Sequence, residues 1–126
     1  GGELYVPRIP SYRITDLAEA IGPDCEHPVI GIRPGEKIHE EMITEADSVT
    51  TWDHGKYFTV LPVKPKWNID DWASQTGATR VPAGFHYSSG DNEHFLSVTE
   101  IQDLIRRHLD PGFVPGAAAA MSGDRT

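Results

Sequence analysis

The stretch "GIRPGEKIHEEM", Gly31 to Met42, sets an Arg-Pro-Gly-Glu turn between an apolar run and a run of charges. The preceding "PVIGI", Pro28 to Ile32, has the β-branched content of a short buried strand and runs directly into the turn. Pro34 suits the first turn of a helix, along which Ile38 and Met42 would stack at i, i+4. Strand, turn and helix in that order predict a helix start whose unpaired N–H groups and positive dipole end are exposed. Arg33 adds a permanent cation with a planar fork suited to phosphate oxygens. Gly35 permits close approach of a ligand or another backbone. Glu36 cannot bind phosphate, but it can accept hydrogen bonds from sugar hydroxyls. One cation for a diphosphate and one acceptor for a sugar have the chemistry of a nucleotide-sugar grip. Spacing alone favours a plainer reading, in which Glu36 complements the helix dipole and Arg33 pairs with a surface carboxylate, because short motifs recur by chance.

Outward from the turn, the other elements are short. Leu4 to Val6 reads as a strand ended by Pro7. A helix is predicted with Asp16 as N-cap and Glu19 three residues on; Leu17, Ala20 and Ile21 share its face, and Gly22-Pro23 stop it. "SVTTWDHGKYFTVLP" predicts a β-hairpin around Asp-His-Gly. "VKPKWNIDDWASQTGATRVPAG" reads as irregular and rich in turn residues. Leu96, Ser97, Glu100 and Ile101 supply staple, cap, capping-box acid and staple partner for a final amphipathic helix. Its apolar face is Ile101, Leu104, Ile105 and Leu109, and Pro111-Gly112 end it. These elements predict an α+β segment over 1–110 and a disordered tail over 111–126.

With 126 residues the chain is one domain or part of one. No apolar run approaches the ~20 residues that span a bilayer. "GGELYVPRIP" lacks the sectors of a secretory signal. A single cysteine, Cys25, excludes an internal disulfide framework, and the expected location is cytoplasmic. The net charge of −8 argues against a non-specific nucleic-acid binder. The one basic cluster, Arg106 to His108, fits the last turn of a helix.

Other constellations carry less. "HEEMI" from His39 lacks the second histidine of HExxH, since Ile43 stands at that position, and no histidines pair at metal-ligand spacing, so no metal site is expected. Glu40-Glu41 and Asp70-Asp71 read as solvated faces. "YSSGDN", Tyr87 to Asn92, reads as a hydrogen-bonded loop before a ligand site. Cys25 stands between Asp24 and Glu26, poor neighbours for a nucleophile. No catalytic residue is identified.

The blocks "GGELYVPRIPSYRITDLAEAI", "GIRPGEKIHEEMI" and "PAGFHYSSGDN", in that order, resemble the C-terminal part of the inverting UDP-N-acetylglucosamine 4,6-dehydratases. These are polysaccharide-biosynthesis enzymes of the extended short-chain dehydrogenase/reductase superfamily, serving pseudaminic acid synthesis for flagellar or surface glycans. The resemblance runs from Gly1 to about Leu109, and His39 after "GEKI" favours the branch without a membrane anchor. It implies a fold that is the C-terminal substrate-binding portion of an extended Rossmann-type enzyme. It further implies an upstream Rossmann domain as partner, UDP-sugar as substrate, and homo-oligomers in the full-length form. The family's Arg and Glu of "GIRPGEK" contact the substrate, which points to Arg33 and Glu36 as substrate-binding residues. The resemblance also implies NADP as cofactor and a catalytic Asp-Lys pair and Tyr acting by hydride removal, loss of water and hydride return with inversion at C5.

Here the sequence departs from the family. No G-x-G pair occurs, so the dinucleotide fingerprint is absent. Four residues after Tyr5, Tyr12, Tyr57 and Tyr87 stand Ile9, Asp16, Leu61 and Asp91, never lysine. The expectation is therefore that this segment binds no NADP and is inactive alone. The competing expectations are a stand-alone, non-catalytic nucleotide-sugar-binding or scaffold module, and a decayed gene fragment.

Overall fold

A computed structural model of the chain describes residues 1–116. The chain divides into two compact units, one of residues 1–9 and 37–92, the other of residues 10–36 and 93 onward.

In the first unit, β1 (Leu4–Pro7), β3 (Thr51–Asp53), β4 (Tyr57–Val60) and β5 (Thr79–Arg80) form an antiparallel sheet in the order β1-β4-β3-β5. The hairpin forms where the sequence places it, with Asp53 opposite Phe58 and Trp52 opposite Thr59. Gly55 takes φ +85°, the positive value that a tight hairpin turn requires and that only glycine adopts without strain, and its N–H donates to Asp53 Oδ1 at 2.7 Å. A 3₁₀ turn, Ala46–Thr50, leads into β3. A second ladder joins β2 (Glu41–Ile43) to β6 (Tyr87–Ser88).

Val6 and Phe58 are directly opposed, and both are buried together with Ile43 and Val81. Phe85 and Tyr87 close over Phe58 at ring-centroid distances of 5.2 and 5.4 Å. Each fully buried apolar side chain contributes about 1.5–3 kcal/mol. A further helix, α2 (Ile69–Thr76), falls in the stretch read as irregular. Asn68 caps it by accepting from Asp71 N–H at 3.0 Å, and Gly77 at φ +70° ends it. An Asn cap, two first-turn acids and a closing glycine are helix signals, but the proline and lysine content around them obscures the period.

In the second unit, α1 (Ile14–Ile21) and α3 (Val98–His108) pack together, and Gln102 Nε2 donates to Ala20 O at 3.2 Å. The first helix starts two residues before the expected cap, so Asp16 lies in its first turn. The final helix begins as expected: Ser97 Oγ accepts from Glu100 N–H at 3.2 Å, while Glu100 Oε2 accepts from Ser97 N–H at 2.7 Å. Residues 111–116 are tied down, with Phe113 O accepting from Arg106 Nε and Gly116 N–H donating to Ile21 O. The rest of the expected tail lies outside the described residues.

Candidate functional site

The Arg-Pro-Gly-Glu turn is a turn and nothing longer. Glu36 N–H donates to Arg33 O at 3.1 Å, closing four residues, and Gly35 sits at φ +85°. Proline at the first central position and a positive-φ glycine at the second are the requirements of a type II turn. No helix starts at Pro34, which corrects the sequence reading. The chain leaves Gly35 in the wrong region for a helix and instead enters β2, whose Ile43 is buried against the sheet core. Ile38 and Met42 are exposed and do not form a helical face. "PVIGI" likewise is neither a strand nor buried: Val29 and Ile30 are 93% and 82% exposed. With no helix there is no dipole for an anion to use, so any affinity of this turn for a phosphate rests on Arg33 itself.

Arg33 and Glu36 do stand together. Arg33 N–H donates to Glu36 Oε2 at 3.0 Å, and Arg33 Nε lies 3.9 Å from Glu36 Oε1. The side chains remain 76% and 51% exposed. The carboxylate thus folds back over the Arg33 amide, and the guanidinium is otherwise unpaired among the described residues. At 3.9 Å in water the pair is weak, worth under about 1 kcal/mol, so an incoming anion can displace it with little loss. The turn presents a planar cationic fork beside a carboxylate, the donor and acceptor that a phosphorylated sugar would need.

"YSSGDN" is structural. Tyr87 Oη accepts from Ile9 N–H at 3.0 Å and donates to Ile9 O at 2.9 Å, and the Asn92 amide donates to that carbonyl at 2.6 Å. Ser89 N–H donates to Glu40 O at 2.8 Å and Ser89 Oγ accepts from Glu40 N–H at 2.9 Å. Gly90 lies against the His39 ring, which a Cβ there would have to displace. His86 Nε2 contacts Asp91 Oδ2 at 2.8 Å, and this hydrogen bond, helped by the charges of Asp91 and Glu41, raises the His86 pKa above its usual value. The loop therefore fastens β6 and the end of β1.

Asp70 and Asp71 occupy the first turn of α2, and Arg106 to His108 the last turn of α3, as dipole complements. Among the described residues no three His, Cys, Asp or Glu side chains stand together as metal ligands. The paired strands are all antiparallel, and among the described residues no glycine-rich strand-to-helix turn exists to cradle a pyrophosphate. No helix among the described residues is long and apolar enough to cross a membrane.

The chain is matched among known proteins both in sequence and in fold. Residues 1–62 match the polysaccharide biosynthesis protein family. More narrowly, the chain is 39% identical over 109 residues to the inverting UDP-N-acetylglucosamine 4,6-dehydratases of two Campylobacter jejuni strains, of serotypes O:23/36 and O:2. The match takes in 83% of this chain and 33% of each relative, so the chain spans about a third of the length of the curated relatives it matches. An uncharacterized membrane protein of Methanocaldococcus jannaschii is 36% identical over 73 residues, 49% of this chain and 22% of that protein. In structure, the chain resembles Pen from Bacillus thuringiensis with a TM-score of 0.64 and 26% identity, over 85% of this chain and 32% of that one.

Proposed function

We propose that this chain is the UDP-sugar-holding segment of an inverting UDP-N-acetylglucosamine 4,6-dehydratase serving surface-polysaccharide or flagellin-glycan synthesis. In this reading it is the C-terminal substrate-binding portion of an extended Rossmann-type enzyme. Arg33 binds the diphosphate of the activated sugar and Glu36 accepts from a sugar hydroxyl. The residues that move hydride and protons, and the NADP they use, belong to a partner Rossmann domain outside the described residues. The observation that carries the assignment is the juxtaposition of two exposed, complementary side chains on one turn, inside the stretch that matches the family. The 39% identity to enzymes named for this reaction supports it.

The test is calorimetry on a complete enzyme carrying this segment. Arg33→Ala is expected to weaken UDP-N-acetylglucosamine binding about 10- to 150-fold, the equivalent of about 1.5–3 kcal/mol for a lost charge-assisted contact. Its melting temperature should barely move, since the side chain is exposed and its ion pair long. Unchanged affinity would refute the role of Arg33. The 126-residue chain by itself, given UDP-N-acetylglucosamine and NADP, is expected to form no 4-keto sugar. Appearance of that product would overturn the assignment of the chemistry to another part of the enzyme.

A further inference from the structure

Two side chains of one loop hold the backbone of Ile9. Tyr87 Oη accepts from Ile9 N–H at 3.0 Å and donates to Ile9 O at 2.9 Å, and Asn92 Nδ2 donates to the same carbonyl at 2.6 Å. Ile9 lies beyond the end of β1, where ladder pairing has stopped, and is the last residue before the chain leaves the first unit. Each holding residue directly follows a member of a charged pair. His86 precedes Tyr87, Asp91 precedes Asn92, and His86 Nε2 stands 2.8 Å from Asp91 Oδ2. The pair therefore closes the loop at its base and sets the spacing of the two residues that grip Ile9. A charged imidazole binds a carboxylate about twice as strongly as a neutral ring does, so the clasp tightens with the proton. The groups around His86 are Asp91 on its own loop, Glu41 on β2 and the Gly84 backbone, all of which favour the charged ring. Glu45 Oε1 also approaches Gly84, and His39, whose ring stands against Gly90, is a second titratable group at this loop.

We infer that the His86–Asp91 pair is a proton-operated lock on the loop that holds Ile9. With His86 charged, Tyr87 and Asn92 stay at the spacing that grips the Ile9 backbone; with His86 neutral, the grip opens more often. The lock goes beyond the nucleotide-sugar reading and is independent of it. Its sign follows from the direction in which Asp91 moves the ring. The His86 pKa is raised, so the lock is fully closed below the ordinary value of 6.5 and loosens as the pH rises through the raised value. The segment by which the chain leaves the first unit is accordingly stiffer on the acid side of neutrality and looser on the alkaline side.

Amide exchange of Ile9 in the 126-residue chain reads the lock directly, because its N–H is held by Tyr87 Oη. Exchange is followed by NMR from about pH 5 to about pH 9, with each rate divided by that of an unstructured amide at the same pH. The His86 ring titration is recorded on the same samples. Protection of Ile9 is expected to fall about 2- to 5-fold across that titration, the range open to an exposed ion pair. The Leu61 amide, bonded to Thr50 O in the same unit, should show no such step. Tyr87→Phe should remove the protection of Ile9 at every pH. In His86→Gln the step should vanish, whereas in His39→Ala it should remain. A flat Ile9 profile in the parent chain overturns the proposal, as does a step that survives His86→Gln. Loss of the step in His39→Ala makes His39 the sensor and overturns it equally.

Discussion

Adding one methyl group at Gly90 tests how tightly the β2–β6 ladder is built. A Cβ there would lie 2.8 Å from His39 Cγ and 2.9 Å from Cδ2 and Nδ1. Carbon contacts settle at about 3.5–4.0 Å, so the ring must retreat by roughly 0.7 Å or more. Gly90 itself is not in the left-handed region, so Gly90→Ala adds no backbone strain and the cost is steric. His39 faces solvent and has somewhere to go, which puts the loss near 1 kcal/mol, the low end of the ~1–3 range for overpacking. For a chain of this size that lowers the melting temperature by about 3–6 °C. His39→Ala alone, at an exposed site, should change stability by no more than about 0.5 kcal/mol. In the His39→Ala background, Gly90→Ala should become nearly neutral, because the ring it meets is gone. Urea melts of the four proteins of this cycle measure the coupling directly. An equal loss from Gly90→Ala with and without the imidazole would refute the steric argument.

Phe58→Ala removes a ring that is 1% exposed and packed by Phe85, Tyr87 and the Arg8 guanidinium, and should cost about 3–5 kcal/mol in urea denaturation. Ser97→Ala breaks the capping box of α3 and should lose about 1 kcal/mol. The hydrogen bonds of Ser97 hold the Glu100 pKa below its ordinary value of 4.5, so the stability they confer is present above that pH and is lost as the pH falls through the lowered value. Glu100→Gln removes the titrating group, so its acid melts should accordingly be flatter than those of the parent chain. For His86 the sign is opposite. Its pKa is raised above 6.5 by Asp91, so the loop gains stability that is fully present below that pH and disappears as the pH rises through the raised value. An NMR titration should show His86 of Asp91→Asn losing its proton at lower pH than His86 of the parent; coincident curves would remove Asp91 as the cause.

Local chemistry settled those parts of this protein whose partners lie within a few residues. The capping box needs only Ser97 and Glu100, and the hairpin needs only β-branched strands around Gly55, so both were legible in the letters. The proximity of Arg33 and Glu36 was legible too, because a Pro-Gly turn brings its flanking residues together regardless of the element that comes after it. The identity of that next element was decided in three dimensions. Gly35 at positive φ ends any helix at once, and Ile43 is drawn into a core made by Val6, Phe58 and Val81, which are distant in sequence. That pull makes a strand of residues whose spacing suggested a helix, because long-range burial outweighs an i, i+4 pair worth a few tenths of a kcal/mol. Tertiary structure also decided that Pro28–Ile32, apolar enough for a core, stays in water: burial needs an opposing surface, and the described residues offer that segment none.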